Sequence, residues 1–461
     1  MAIDSRVGPL PEAGACDVRT PSFARRGFVH TGEMLDCAPP PLPIRRTASS
    51  PLRGKQQTRL VALLALCDPL PQQSSRMLIL SLKEWEKLLH WLHISGLALY
   101  FLDRLVELDL CDLLPPTLFT RLQLDLIDNT QRTRSMIAES IAIQQDFQKT
   151  GLTYAILKGL SLCPGSVSKP ELRSQFDLDF LVAEGCAPEA RRILERRGYR
   201  LYAISGRTWE FKLNERPGVS VKDIYKDFQS YAVELHLESS VPDRTSRLER
   251  LEWREMHGMR MPVLSPVDLL LGQGLHAFKH LCGESSRAAH LLEFRRHVLN
   301  RQHDDAFWRE VQAAAKGDPR ASLGLGVVIL LISSVMGDFA PRAFTMWTVD
   351  SLSRPVRLWV ELYGHRVALG SYPGNKLYLL LQRELHFAGI PEKRPLRRAL
   401  FPSRLPPPVL RAFPNETLPV RVRRYSMYLQ LILERLLFHI VEGSRFALES
   451  RRWRRMKELA Q

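Results

Sequence analysis

Apolar residues recur at helical spacing over the stretch from Thr58 to Phe147. They lie three and four positions apart, which is the period of one face of an α-helix. Ser81 precedes one of these repeats, and Glu84 follows three positions later, a pairing that predicts a capped helix N-terminus. Pro115-Pro116 then breaks the chain before a long predicted helix over residues 117–149. We therefore expect this whole stretch to be all-α.

Strand-like alternation replaces the helical period after about residue 151. A short apolar strand ends at Leu157, and Asp177–Val182 alternates acidic and apolar residues before continuing as an apolar run. A short helix over residues 188–197 is predicted to end at Gly198, because glycine suits the left-handed conformation beyond a helix C-terminus. The remaining predicted strands are Tyr199–Ile204, Thr208–Leu213, Val219–Ile224 and Ala232–Leu237, of which the last ends the sheet.

The pattern becomes helical again from Pro266 onward. Its longest uncharged run, Ala321–Gly337, has 17 residues with three glycines and three serines. A stretch this short lies at the lower limit for crossing a bilayer, so we predict a buried core helix.

The predicted fold class is α+β, with a small mixed β-sheet core, helices packed on it, and all-α regions on either side. Its predicted boundaries are 1–56 for a disordered Pro- and Arg-rich leader, 57–150 for the N-terminal helical region, 151–262 for the core, and 263–461 for the C-terminal helical region with a basic tail. For the leader, the alternative is that translation starts at Met34 or a later methionine.

Positive charge is the unusual feature of the composition. Apolar content of 45% and charged content of 25% are ordinary for a soluble protein, whereas the net charge is +16. Residues 391–461 hold 16 Lys and Arg against 6 Glu, and so contribute +10 of that charge. Such a balance favours polyanionic partners. For the basic tail the alternatives are a solvated helix face, an RNA contact, or an amphipathic helix on an anionic membrane surface.

The seven cysteines are scattered and lack any Cys-x-x-Cys spacing. This distribution argues against a disulfide framework and against a cysteine zinc site. The first residues also lack the apolar segment of a secretory signal. We expect a cytoplasmic protein without a transmembrane segment.

Asp177 and Asp179 are the strongest candidates for chemistry, because residues two apart on a strand project from the same face. Two carboxylates this close raise each other's pKa unless a cation lies between them, and Mg²⁺ is commonly held by one or two carboxylates plus phosphates. Glu234 alternates in the same way, with His236 on its face, and joins the pair if the two strands are neighbours. A solvated strand face is the alternative, but it leaves the apolar surroundings unexplained.

The turn that follows the first strand supplies candidate nucleotide contacts. Gly159 lets the backbone approach a phosphate closely, and Lys158 and Ser161 flank it with a cation and a hydroxyl. Arg173, four residues before the acidic strand, is a candidate phosphate contact, with pairing to Glu171 or Asp177 as the alternative.

Together these motifs resemble the DNA polymerase β-like nucleotidyltransferase superfamily and, within it, a bacterial family of uncharacterised nucleotidyltransferases. That family's pattern is a Leu-Lys-Gly turn, an Arg before an Asp-x-Asp strand, a helix ending in Gly-Tyr, and a later Glu-Leu-His strand. It is met by Leu157-Lys158-Gly159, Arg173, Asp177-Leu178-Asp179, Gly198-Tyr199 and Glu234-Leu235-His236. The likeness extends over roughly residues 57–440.

The resemblance implies a small mixed sheet with helices on one side and a nucleotidyltransferase core over residues 151–262. It implies two Mg²⁺ ions, for which Mn²⁺ can substitute, and transfer of a nucleoside monophosphate from an NTP such as ATP to a hydroxyl of an unknown acceptor, with release of pyrophosphate. Asp177 and Asp179 would ligate both ions, and Glu234 would help ligate the ion that activates the acceptor oxygen. The turn departs from the superfamily's usual Gly-Ser or Gly-Gly, because Leu160 intervenes.

His276 and His280 lie four apart on a predicted helix, which is metal-ligand spacing without the Glu of a His-Glu-x-x-His box. Core or interhelical hydrogen bonding, substrate contact and a zinc site are the alternatives, favoured in that order. For the whole chain, the alternative function is a catalytically weak nucleotide-binding or scaffold protein whose basic tail contacts RNA or an anionic membrane surface.

Overall fold

The computed structural model describes most of the chain after residue 53. The described residues are 54–68, 80–213, 223–227, 232–238, 246–256, 258–284, 286–316, 318–371, 373–390, 395–402, 405 and 416–460. The predicted leader lies outside them except for residues 54–56, which begin the first helix. Most of the predicted strand Val219–Ile224, and Arg394 of the basic tail, also lie outside the described residues.

Helices precede the sheet, as the spacing predicted. They are α1 (Gly54–Ala65), α2 (Leu82–Ser95), α3 (Ala98–Glu107) and α4 (Pro116–Lys149). The capping interaction predicted for α2 is present, since the Glu84 carboxylate accepts hydrogen bonds from the Ser81 backbone N–H at 3.0 Å and from its hydroxyl at 2.7 Å. Helix α4 begins directly after Pro115, where the chain break was predicted.

Seven strands form one mixed sheet in the described part of the chain. They are β1 (Tyr154–Leu157), β2 (Asp177–Ala183), β3 (Arg200–Ser205), β4 (Thr208–Lys212), β5 (Ala232–Glu238), β6 (Glu252–Met256) and β7 (Met259–Val263), in the spatial order β3-β4-β5-β2-β1-β7-β6. Helix α5 (Ala187–Arg196) connects β2 to β3, and Gly198 beyond it has a φ of 88°, the left-handed conformation that was predicted.

The prediction that β5 ends the sheet is wrong, because β6 and β7 follow it. Strand β7 pairs in parallel with β1, and β6 pairs antiparallel with β7 at the edge of the sheet. Strand β6 reads Glu-Trp-Arg-Glu-Met, with Trp253 half exposed. An edge strand with charges at most positions lacks the apolar alternation by which a half-buried strand is detected.

Hydrophobic clusters lie on both faces of the sheet. On one face, Phe180 and Leu235 belong to a cluster with Phe147 of α4 and Ile193 of α5. On the other face, Leu181 of β2 belongs to the larger core formed by the helical regions. Helices therefore contact both faces, whereas the resemblance implied helices on one side only.

Nine further helices follow in the described residues after the sheet. They are α6 (Pro266–Leu281), α7 (Ala288–Leu299), α8 (Asp305–Ala315), α9 (Pro319–Met336), α10 (Arg342–Thr345), α11 (Arg354–Ala368), α12 (Tyr378–Phe387), α13 (Leu396–Leu400) and α14 (Leu418–Ala460). Trp453 of the basic tail, which is flanked by Arg451, Arg452, Arg454 and Arg455, is buried, and its indole N–H donates to Glu384 Oε1 at 3.2 Å. That part of the basic tail is thus docked on α12.

Helix α9 contains the long uncharged run. Among the described residues it is the one helix that is long and apolar enough to cross a membrane by length and composition, with a mean hydropathy of 1.7. It is 61% buried inside the protein, where Gly324 lies against Phe278 of α6 and Leu331 lies against Gly364 of α11. The environment is that of a buried core helix, as predicted.

Candidate functional site

Asp177 and Asp179 project from the same face of β2, as the alternation predicted. Leu178 and Phe180 project from the opposite face and are buried there. The ring of Phe180 contacts Phe147 of α4, with the ring centroids 5.5 Å apart. This packing fixes the orientation of the strand, because a shift of one residue would turn both carboxylates into the core.

The neighbouring strand places Glu234 beside Asp179. Strands β2 and β5 pair in parallel, with Asp179 opposite Glu234 and Leu181 opposite His236. Opposite residues of paired strands lie on the same face, so Glu234 and His236 join the acidic pair. The condition that the sequence imposed, that these two strands be neighbours, is met.

Lys158 and His236 both contact the inner carboxylate. Lys158 Nζ donates to Asp179 Oδ1 at 2.6 Å and lies 3.8 Å from Glu234 Oε2. His236 Nε2 lies 2.7 Å from Asp179 Oδ1 and 3.2 Å from Glu234 Oε2. Two cationic or proton-donating groups are therefore held between two carboxylates, which is the charge arrangement that a bound cation would also satisfy.

The second oxygen of Asp179 has no such partner. Asp179 is only 2% exposed, and its Oδ2 is buried without a hydrogen-bond partner among the residues that the structure describes. A buried carboxylate oxygen left unpaired costs free energy, so its presence calls for an explanation such as an ion. Ligand atoms of Asp179, Glu234 and His236 all lie within 4.8 Å of one another. Asp177 lies outside this group, on the same face of the strand.

The two aspartates have opposite electrostatic environments. Burial, reinforced by the negative charge of Asp179, raises the pKa of Asp177 to about 6. Burial also acts to raise the pKa of Asp179, but the hydrogen bond from His236 and the charge of Lys158 outweigh it and lower that pKa. Burial lowers the pKa of His236, yet its hydrogen bonds to Asp179 and Glu234 outweigh burial and raise it. The inner aspartate is thus held ionised.

The turn after β1 holds Lys158 in place through an uncommon backbone conformation. Lys158 has a φ of 49° and Gly159 a φ of 33°, both in the left-handed region. A Cβ at Gly159 would collide with the side-chain amide of Gln175, so a larger residue here requires that amide to move as well as a positive φ. Ser161 is buried, and its hydroxyl donates to the Lys158 carbonyl at 2.7 Å. Its hydroxyl therefore stabilises the turn and does not face the acidic cluster.

Arg173 pairs with a residue that the sequence analysis did not consider. Its Nε lies 3.2 Å from Glu293 Oε1 on α7; the Glu293 side chain is buried, and that of Arg173 is 14% exposed. Burial acts to lower the pKa of Arg173, and the charge of Glu293 outweighs this and raises it. Of the predicted nucleotide contacts, the structure thus brings Lys158 to the acidic cluster and gives Ser161 and Arg173 intramolecular partners.

Two further arginines lie beside Phe176, and the sequence pattern did not indicate them. The guanidinium carbons of Arg132 and Arg287 lie 4.5 Å and 5.8 Å from the centre of the Phe176 ring, just before the acidic strand. Burial, followed by the charge of Arg173, lowers the pKa of Arg287. Neither arginine lies in a recognisable motif, so only the fold could bring them to Phe176.

Comparison with known proteins identifies the family of this chain. A family model described as an uncharacterised nucleotidyltransferase matches residues 81–332, which is more than half of the chain. The chain belongs to this family. The match confirms the predicted nucleotidyltransferase family, and the mixed α+β architecture with flanking helical regions confirms the predicted fold class. Family membership supports a transferase activity of the nucleotidyl-transfer type.

This chain is also similar to a solved structure. The antigenic nucleotidyltransferase-like protein from Paracoccidioides brasiliensis is 16% identical, and the alignment covers 47% of this chain and 97% of that protein with a TM-score of 0.27. No curated protein sequence matches the chain.

Proposed function

We propose that this chain is a Mg²⁺-dependent nucleotidyltransferase that transfers a nucleoside monophosphate from an NTP to a hydroxyl of an acceptor and releases pyrophosphate. The observation that carries the proposal is the register of β2 and β5, in which Asp179 is paired with Glu234 while Asp177 lies two residues earlier on the same face. Three carboxylates on one sheet face are the donor set for a hard divalent cation.

The residues present fit such an ion. Asp179 Oδ2 is a buried acceptor without a hydrogen-bond partner among the described residues, and the ammonium of Lys158 already lies against Asp179 and Glu234. The site therefore accepts positive charge. Asp177, Asp179 and Glu234 would hold two Mg²⁺ ions, or Mn²⁺ in their place. When bound, such ions neutralise charge on the phosphoryl oxygens and favour the attacking hydroxyl in its ionised form.

The cationic side chains around the cluster would bind the triphosphate. Lys158 carries three N–H donors on a flexible stem, and its hydrogen bond to Asp179 is exchangeable for one to a phosphate oxygen. Arg132 and Arg287 add two guanidinium groups beside Phe176. Guanidinium groups are well suited to phosphate oxygens because they donate two parallel hydrogen bonds.

The buried position of Asp179 would keep water away from the inner part of the site. Asp179 is held in one orientation by Lys158 on one side and His236 on the other. His236 is in turn 3.3 Å from Thr208 Oγ1 through Nδ1, so its ring orientation is also fixed. Such positioning matters because phosphoryl-type transfer depends on orientation and charge neutralisation more than on covalent chemistry.

The test is transfer of label from each α-³²P-labelled NTP with Mg²⁺, with and without extract from the source cell. The purified full chain is compared with Asp179→Asn and with the matched surface control Asp338→Asn, since Asp338 is exposed. We expect label to reach an acceptor with the native chain and with Asp338→Asn, and not with folded Asp179→Asn. The size and the nuclease or protease sensitivity of the product then identify the acceptor class.

Retained metal-dependent transfer by folded Asp179→Asn would overturn the proposal. Absence of transfer from every NTP, together with absence of NTP binding in the presence of Mg²⁺, would overturn it too. That second result would favour the nucleotide-independent scaffold role.

A further inference from the structure

Three histidines meet between helices α6 and α7. His276 and His280 lie one turn apart on α6, and His290 lies in the first turn of α7. Their ring centroids are 4.6 Å apart for the first pair, 4.9 Å for His276 and His290, and 4.7 Å for His280 and His290. The cluster lies outside the acidic site, and no step of the proposed transfer uses it.

His290 changes the interpretation of the other two histidines. A pair of histidines four apart is commonly explained by hydrogen bonding between helices. Here a third imidazole comes from the neighbouring helix, and ligand nitrogens of all three residues lie within 4.8 Å of one another. His290 is buried, and its Nδ1 has no hydrogen-bond partner among the described residues. Hydrogen bonding therefore does not account for the burial of this nitrogen.

The spacing suits a tetrahedral metal ion. With a Zn–N distance of about 2.1 Å, the nitrogens of a tetrahedral site lie about 3.4 Å apart. The ligand nitrogens lie within 4.8 Å of one another, so metal binding would draw the three rings closer together. The backbone beneath them is close-packed, since a Cβ at Gly274 of α6 would collide with Leu325 of α9 and with Phe294 of α7. The two helices that carry the histidines are thus held at a fixed separation.

The protonation state of the cluster also suits a metal. Burial, followed by the neighbouring imidazole of His280, lowers the pKa of His276 to about 3. Burial, followed by the neighbouring imidazoles of His276 and His280, lowers the pKa of His290 well below its ordinary value. Neutral imidazole is the form that coordinates a metal.

The nearby cations are largely neutralised. Lys158, Arg173 and Arg287 are the positive groups that act on the cluster, and Asp179 is the negative one. Lys158 is paired with Asp179, and Arg173 is paired with Glu293, so the charge of Arg287 is the main one opposing a cation. We expect coordination by three imidazole nitrogens to exceed the electrostatic repulsion between the metal ion and this one arginine.

We propose that His276, His280 and His290 bind one transition-metal ion of the zinc class, with a fourth position open to water or another oxygen ligand. His276 and His280 are half-buried, which leaves that position within reach of solvent. Imidazole ligands select Zn²⁺ and similar borderline ions, whereas the carboxylates of the acidic cluster select Mg²⁺ or Mn²⁺. The chain would then hold two chemically distinct metal sites. The proposal stands independently of nucleotidyl transfer.

The test is metal content and Co²⁺ spectroscopy on the full chain after removal of any histidine tag. Zinc is measured by elemental analysis after dialysis, and the stripped protein is titrated with Co²⁺, whose visible bands distinguish tetrahedral nitrogen ligation from octahedral oxygen ligation. We expect one tightly held Zn²⁺ or Co²⁺ per chain. We expect His290→Ala to weaken this binding by more than about 100-fold, since it removes a ligand and even outer partners of ligands account for 10- to 100-fold.

Matched controls separate this site from other causes. His303 is exposed, so His303→Ala should bind Co²⁺ like the native chain. Asp179→Asn should lose nucleotidyl transfer yet keep the tetrahedral Co²⁺ bands. His280→Gln serves as a second ligand variant should His290→Ala fail to fold. Absence of tetrahedral bands in the native chain, or equal Co²⁺ affinity in a folded ligand variant, would overturn the proposal.

Discussion

Arg173 and Glu293 form a largely buried ion pair in which Arg173 Nε lies 3.2 Å from Glu293 Oε1. The pair ties the loop before β2 to helix α7, and Tyr100 of α3 also donates a hydrogen bond to Glu293 Oε1 at 3.0 Å. Three parts of the chain thus meet behind the acidic strand. The contact links the position of Asp177 and Asp179 to the packing of the C-terminal helices.

We expect Glu293→Gln to lower the free energy of unfolding by about 3 kcal/mol, because breaking a buried pair leaves Arg173 charged and uncompensated. Urea denaturation followed by tryptophan fluorescence measures this. The double variant Arg173→Met/Glu293→Leu should be less destabilised, since it leaves no unpaired charge. Equal stability of Glu293→Gln and the native chain would contradict the structural role of the pair.

Replacing Glu234 of β5 tests whether this strand contributes a carboxylate to the active site. We expect Glu234→Gln to lower the rate of nucleotidyl transfer by about 10²- to 10³-fold, the range seen when one charge-stabilising group is removed from an active site. Single-turnover transfer from labelled NTP measures the rate. Glu184→Gln is the matched control, because Glu184 is exposed beyond the end of β2. A rate for Glu234→Gln equal to that of the control would remove Glu234 from the site.

Much of this site could be predicted because its pattern is local. The period of two places Asp177 and Asp179 on one face of a strand, and the same period places Glu234 on the polar face of a later strand. In both segments the acidic residues alternate with apolar residues, and the apolar residues are buried in the core. The register between the two strands then follows from burying both apolar sets on the same face.

The rest depends on contacts between distant residues, which no local pattern encodes. Arg173 pairs with Glu293, which lies on a helix 120 positions later in the chain. His290 joins His276 and His280 only because α6 and α7 pack side by side. Strand β6 was missed for a different reason, since charged edge strands carry no apolar alternation.

Gly159 is expected to tolerate no side chain. With a φ of 33° and the amide of Gln175 against its Cβ position, Gly159→Ala should lower the free energy of unfolding by about 1–3 kcal/mol. Thermal unfolding of the purified variant measures the loss. Gly185→Ala is the control, because a Cβ there would contact nothing within 4 Å. Replacing Gln175 by Ala as well should recover part of the loss, namely the part due to the collision. Full stability of Gly159→Ala would show that the turn adopts another conformation.

His297 is expected to make the fold less stable in mild acid. Burial, followed by the charges of Arg301 and Arg254, lowers its pKa from 6.5 to about 4, and its Nδ1 lies 2.7 Å from Gln273 Oε1. In the unfolded chain the imidazole binds a proton below pH 6.5, whereas in the fold it stays neutral down to about pH 4. Its contribution is therefore complete above pH 6.5 and is lost as the pH falls toward 4.

The matching measurement is the free energy of unfolding from pH 7 to pH 5 for the native chain and for His297→Gln. Glutamine can keep the hydrogen bond to Gln273 but does not titrate, so the variant should lose less stability over this range. Parallel pH curves for the two proteins would contradict the expected role of His297.

Lys158 is expected to compete with a divalent cation for the acidic cluster, because its ammonium lies 2.6 Å from Asp179 Oδ1 and 3.8 Å from Glu234 Oε2. Removing it with Lys158→Met leaves the carboxylates with less neutralising charge, so we expect a lower melting temperature in EDTA. Mn²⁺ should then raise the melting temperature more in the variant than in the native chain, since a ligand that binds only the folded state stabilises it in proportion to its affinity. Thermal unfolding with EDTA and with Mn²⁺ measures both effects. An equal or smaller Mn²⁺ effect in Lys158→Met would mean that Lys158 and the ion do not share a site.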